Sequence, residues 1–161
     1  MKKIFLSLVI SLLAVTAFAQ VKSVDVKADY RLGTFGLKGD PGIGLGITME
    51  LAENFDLAPR FIWYMVNHGT QFNTEADLHY NFEINDDVYV YPIAGLGLFH
   101  NNWKDDAGSH NHNKVLGNLG VGATYQLNEN FRAFAEAKYQ QIVGEKDFSD
   151  TYFSIGISYC F

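Results

Sequence analysis

Phe153-Ser154-Ile155-Gly156-Ile157-Ser158-Tyr159-Cys160-Phe161, the last nine residues, alternate without exception between large apolar and small side chains. A strand sends successive side chains to opposite faces, so Phe153, Ile155, Ile157, Tyr159 and Phe161 share one face and the small residues share the other; a helix would scramble the two sets. The period returns near the other end. Val24, Val26, Ala28, Tyr30 and Leu32 alternate there with Asp25, Lys27, Asp29, Arg31 and Gly33, a polar face bearing both signs of charge. Strands are predicted between these two over residues 43–51, 55–64, 72–84, 88–99, 117–127 and 131–141, which makes eight in all.

The connections alternate in kind. Short ones, Ala52-Glu53-Asn54, Asn85-Asp86-Asp87 and Asn128-Glu129-Asn130, carry the Asn and Asp that tolerate tight turns. Longer ones are expected at 35–42, 65–71, 100–116 and 142–150. In an up-and-down meander successive connections fall at opposite ends, so one end is clipped and the other decorated. A repeat supports the count. Gly44, Gly46, Thr48, Leu51, Glu53, Asn54 and Phe55 recur as Gly120, Gly122, Thr124, Leu127, Glu129, Asn130 and Phe131, at a constant offset that fits a closed sheet built from two similar halves.

Composition narrows the class. The chain has 161 residues, 15% aromatic and 19% charged, which suits one packed domain and argues against disorder. A formal charge of −6 offers nothing to phosphate backbones, so nucleic acid is excluded as a partner. One cysteine, Cys160, precludes an internal disulfide. Lys2 and Lys3, the apolar stretch of residues 4–15 and Ala17-Phe18-Ala19 read together as a secretory signal peptide over 1–19, too short to span a bilayer. The remaining domain, 20–161, contains no long apolar run.

Alternation leaves open which face is wet. The polar face holds Gly44, Gly46, Gly95, Gly97, Gly120, Gly122, Gly156, Ser154 and Ser158. Glycine inside a strand is unfavourable by about 0.5–1 kcal/mol relative to Ala, so it belongs where space is short, as in the lumen of a small barrel. Ten charges fall on that face: Asp25, Lys27, Asp29, Arg31, Glu50, Arg60, Glu75, Asp77, Glu136 and Lys138, joined by His79 and Arg132. Six acids and four bases in the first ten suit mutual pairing that plugs the interior. The apolar face then meets lipid, and aromatic residues near strand ends, among them Phe55, Phe131, Trp63, Tyr64, Phe72, Phe99, Trp103 and Tyr139, suit the headgroup level.

With these features assembled, the chain resembles the small eight-stranded OmpX/OmpA-type outer-membrane β-barrel family across its whole length after the signal. The resemblance implies an all-β, antiparallel up-and-down transmembrane barrel in the outer membrane of a Gram-negative-type bacterium. It also implies contact with outer-membrane lipids and lipopolysaccharide, and recognition of Phe153, Ile155, Ile157, Tyr159 and Phe161 by the barrel-assembly machinery. The family shares an architecture without a catalytic motif, so a structural or surface-interaction role is expected, with long extracellular loops as the contact surface for an external ligand.

A search for chemistry returns little. His110 and His112 beside Asp105 and Asp106 are suitable divalent-metal ligands, but a loop of Gly, Asn, Asp and His is also what remains wet outside a membrane, and the solvated reading is preferred. Ser109-His110 and Ser149-Asp150 lack the spacing of a nucleophile with its base. Gly44-x-Gly46 and Gly95-x-Gly97 precede no helix that would offer its N-terminus to a phosphate. No enzyme and no cofactor is expected. A narrow pore or small-hydrophobe transporter, and a soluble periplasmic ligand-binding barrel, stand as alternatives. Mass spectrometry of the exported protein should find Gln20 as its first residue; retention of residues 1–19 would refute the signal assignment.

Overall fold

A computed structural model describes residues 20–32, 39–66, 69–105, 108–144 and 149–161, with the backbone alone described for 103–105 and 108–112. Among them are nine strand segments: β1 Gln20–Leu32, β2 Asp40–Ala52, β3 Phe55–Tyr64, β4 Gly69–Tyr80, β5 Phe82–Asn85, β6 Val88–Asp105, β7 Gly108–Gln126, β8 Phe131–Ile142 and β9 Ser149–Cys160. Each pairs antiparallel with its neighbours, β1 pairs with β9, and β4 pairs with β6. The sheet is therefore closed. β4 and β5 together occupy one position in the ring, giving eight.

The expected single strand over 72–84 is thus corrected to two segments. β4 pairs on both sides, with β3 and β6, whereas β5 pairs with β6. The break falls at Asn81, whose backbone N–H donates to the Asn54 carbonyl at 2.8 Å and whose side-chain amide donates to Asp56 Oδ2 at 2.7 Å. Asn81 thereby ties this strand to the β2–β3 turn instead of continuing the ladder. That turn needs a left-handed residue, supplied by Asn54 at φ 65°, and asparagine tolerates that region better than most. Asn85 and Asn128 repeat one device: each side-chain oxygen accepts two backbone N–H bonds, from Asp87 and Val88, and from Asn130 and Phe131. These caps explain why three residues suffice at this end.

A second correction concerns the loop expected at 100–116. β6 and β7 instead remain paired from Val88↔Tyr125 to Asp105↔Gly108. Alternation cannot mark this stretch, because its sequence is mostly polar at both parities and neither reads as an apolar face.

The two faces of the ring are inverted relative to a soluble protein. Ile155 is 67% exposed and Leu119 63%, while Lys138 is 1% exposed and Glu136 4%. Phe153, Ile155, Ile157 and Tyr159 of β9 point outward, and Cys160 and Phe161 are held by bonds from their N–H groups to the carbonyls of Asn130 and Lys22. Aromatic rings meet edge to face near the turns, as in Phe55–Tyr80, Tyr80–Phe82 and Phe131–Tyr159. Tyr64 departs from the expected headgroup position. It lies buried in the lumen, because it shares the strand parity of Arg60 and Ile62.

Glycines make room for bulk across the ladder. Gly44 and Gly156 flank Lys27, Gly46 faces Arg60, Gly95 faces Asp77, Gly120 faces Lys138, and Gly122 lies between Tyr91 and Glu136. A Cβ at Gly46 would stand 2.6 Å from Arg60 Cγ, and one at Gly122 would strike the Tyr91 ring. The expected consequence is that Gly122→Leu lowers unfolding stability in detergent by at least about 1–3 kcal/mol through overpacking. Gly117→Ala, whose Cβ would meet only the Gln141 carbonyl at 4.0 Å, serves as the tolerated control; equal urea midpoints would contradict this account.

Candidate functional site

Two features stand out on this scaffold: the filled lumen and the hairpin that continues above one rim. The lumen is built from inward positions of every long strand. Arg60 Nη1 donates to Glu136 Oε2 at 2.6 Å, and the Tyr91 hydroxyl donates to Glu136 Oε1 at 3.0 Å. Lys27 Nζ lies 3.1 Å from Asp29 Oδ1 and 3.7 Å from Glu136 Oε2, and Ser154 donates to Asp29. Lys138 pairs with Glu75 and, at 3.0 Å, with Asp77. Amides extend the lattice: Gln140 donates to Glu75, Asn73 to Gln140 at 3.2 Å, and Asn118 to Asp77 at 2.8 Å. Asp25 accepts from Ser23 at 2.9 Å and Thr48 at 2.8 Å.

Burial of charge is expensive unless each charge has partners, so these contacts act as a unit. Above them toward the loop end Ile62, Tyr64 and Tyr152 form an apolar cluster, with Tyr64 and Tyr152 ring centroids 5.7 Å apart. His79 stacks on Tyr91 at 4.6 Å. Arg132 lies toward the turns, donating to Gln126 at 3.0 Å with its guanidinium 5.8 Å from the Tyr89 ring.

The structure brings eight of the ten predicted charges into this buried interior: Asp25, Lys27, Asp29, Arg60, Glu75, Asp77, Glu136 and Lys138. The other two lie at its mouths. Glu50 has a side chain 44% exposed and sits 3.6 Å from Lys22, which also bonds Asp56. Arg31 pairs with Asp40 at the opposite end, its guanidinium 5.6 Å from the Tyr64 ring. Sequence reading missed Asp56, Asn73, Asn118 and Gln140 in the interior. Their parity with Arg60, Glu75, Gly120 and Lys138 was the available signal, obscured because the three amides, and an aspartate beside the turn such as Asp56, look equally at home on a wet surface.

The offset repeat has a physical counterpart. Gly46↔Arg60 in β2–β3 and Gly122↔Glu136 in β7–β8 are the same register pair moved by 76 residues, and Arg60 and Glu136 meet each other across the lumen. Equivalent positions of the two halves carry opposite charges.

Among the residues whose side chains are described, no hydrogen bond joins a serine to a histidine. Of the candidate metal ligands, Asp106 lies outside the described residues, and Asp105, His110 and His112 are described in backbone only, opposite Gly108, Trp103 and Asn101. Among the residues whose side chains are described, no three of His, Cys, Asp or Glu are grouped to hold a metal ion. Ser109 lies opposite Lys104 in the hairpin, and Ser149 and Asp150 open β9.

The sequence profile of the outer membrane protein beta-barrel domain matches residues 5–161. No curated protein sequence matches the chain. Among solved structures, the N-terminal barrel of Pseudomonas aeruginosa OprF is 20% identical, over 88% of this chain and 100% of that one, with a TM-score of 0.70. Neisserial surface protein A is 15% identical over 86% and 96%, with a TM-score of 0.72. Ail, the attachment invasion locus protein of Yersinia pestis, is 19% identical over 88% and 98%, with a TM-score of 0.66, and has also been solved with the heparin analogue sucrose octasulfate. At these identities the likeness concerns the fold.

The network yields a coupled prediction. Arg60→Met strands Glu136 and should cost about 3–5 kcal/mol of unfolding free energy. Adding Glu136→Gln, which removes the stranded charge, should recover part of that loss in urea titrations; strictly additive losses would show that the two residues do not act together.

Proposed function

Because the chain belongs to the outer membrane protein beta-barrel domain family, we propose that it is a non-conducting, non-enzymatic outer-membrane barrel whose extracellular hairpin is a contact surface for a ligand outside the cell. The observation that carries this reading is the reach of β6 and β7. The β7–β8 ladder begins at Leu116↔Ile142, with one further bond from the Val143 N–H to the Val115 carbonyl, yet β7 starts at Gly108. Residues 108–115 continue for about 25 Å along the strand at about 3.3 Å per residue. On its other side β6 stays paired with β4 as far as Trp103↔Gly69, so this extension presents the β7 edge to the outside at lower ordering cost than a structureless loop.

The lumen supports the absence of conduction. Its charges are engaged with one another, and the Ile62–Tyr64–Tyr152 cluster lies across the path toward the loops. Ail is a protein with an attachment role in its name and a polyanion analogue in one of its structures. This chain carries a formal charge of −6, so electrostatic steering toward a polyanion has no counterpart here, and the hairpin's polar Asn and His residues suit hydrogen-bonded recognition instead. Its histidines and aspartates are read as part of that wet surface. The outer wall contacts lipid and lipopolysaccharide, and the alternating residues that end in Phe161 serve assembly.

Trypsin added to intact cells should cut within residues 100–114 and leave the remaining barrel protected, while the purified protein should give no steady openings in planar bilayers. Protection of the hairpin would refute the extracellular contact surface. Discrete, sustained conductance would favour the pore.

A further inference from the structure

Above the barrel rim the β6–β7 ribbon has an unpaired edge. β7 holds one register with β6 from Val88↔Tyr125 to Asp105↔Gly108, without a bulge, so its backbone groups alternate regularly between two sides. The Gln126 N–H donates to the Asp87 carbonyl on the β6 side, and the Val115 carbonyl accepts from the Val143 N–H on the β8 side. Even-numbered residues of β7 therefore bond β6, and odd-numbered residues face β8. The β7–β8 ladder begins at Leu116↔Ile142, so the N–H and C=O groups of Ser109, Asn111 and Asn113 point away from β6 with no strand of the described residues beside them. The connection from Gly144 to Ser149 is too short to cover this edge. At most about 18 Å of extended chain joins the two. Because Ser149 pairs with Gln141, level with Gly117, the climb ends near Asn113.

Strand edges exposed to water are ordinarily blunted by charge, proline, a bulge or brevity. Residues 108–113 contain no acid, no lysine or arginine, no proline and no bulge. The edge also complements itself. Turned antiparallel against a second copy about Asn111, it sets Ser109 opposite Asn113, His110 opposite His112 and Lys114 opposite Gly108, so no like charges meet while the histidines are neutral. The odd-numbered pairs exchange two backbone bonds each, roughly six in all. Such a contact is two-fold, with one surface serving both partners.

We propose that the β7 edge, Gly108–Lys114, pairs with the same edge of a second copy on a facing cell, a reading that rests on the extracellular placement of the hairpin. Strand tilt decides where the second copy sits. Two copies in one membrane are related by an axis along its normal, and strands tilted about 35–45° then both run downward and cross at roughly 70–90°, which no ladder accommodates. An axis in the membrane plane makes the two edges antiparallel and inverts the second barrel, so its membrane is an apposed one. β6 stays paired with β4 as far as Trp103↔Gly69, and the contact therefore joins β4, β6 and β7 of each copy into one sheet. An unrelated extended peptide could bond the same groups only after being ordered, whereas the second copy's edge is already held straight by its own β6.

The test uses the full barrel reconstituted in phospholipid vesicles at neutral pH, with clustering followed by light scattering. Vesicles carrying the protein should cluster with one another and not with protein-free vesicles, and trypsin should disperse them. Asn111→Pro, which removes an edge N–H and leaves the bonds to β6 in place, should slow clustering at least tenfold; Ser109→Pro provides a second block if the first variant does not assemble. Asn111→Thr, which keeps the N–H, should cluster as the parent does. No clustering by vesicles whose hairpin trypsin cuts, undiminished clustering by both proline variants, loss of clustering in Asn111→Thr, or clustering onto protein-free vesicles would overturn the proposal. Trypsin protection of the hairpin on intact cells, with vesicle clustering and its proline sensitivity intact, would refute the extracellular placement and leave the edge pairing standing.

Discussion

A backbone in hydrocarbon has no water to bond, and this requirement governs the rest of the molecule. Each long strand is paired on both sides, β5 alone being paired only with β6, and the ring closes through β1–β9 and β4–β6. Closure at eight positions leaves an interior only wide enough for side chains. Whatever points inward must therefore fit and satisfy its neighbours there. Apolar residues have the opposite freedom, since acyl chains accept any greasy outline.

Fitting is achieved by complementarity across the ladder. Lys27, Arg60, Asp77 and Lys138 each face a glycine in register, so a long side chain and a missing one share the space of two average residues. Satisfaction is achieved by pairing between the halves. Arg60 and Glu136 occupy equivalent places in the two copies of one hairpin, and their opposite charges join the copies across the lumen. A duplicated hairpin alone would bring like against like. The opposite signs of this pair tie the two halves together.

Outside the hydrocarbon the same chain obeys different rules. The β6–β7 ribbon continues its backbone pairing after the apolar face ends, because water on both sides removes the need for one. The turn end is held by asparagine caps and by Asn81. One end is thus minimal and the other is extended.

Strand alternation, the three asparagine-bearing turns, the offset repeat and the terminal Phe153–Phe161 pattern were legible in the residues themselves, because side-chain direction in a strand is a local property. So was the side on which Lys27, Glu75 and Lys138 fall. Tertiary structure decided the remainder. That Lys138 serves both Glu75 and Asp77, and that Glu50 and Arg31 sit at the mouths, depend on how strands tilt and stagger around the ring. Local periodicity tells a residue which way to point; only closure determines what it meets there.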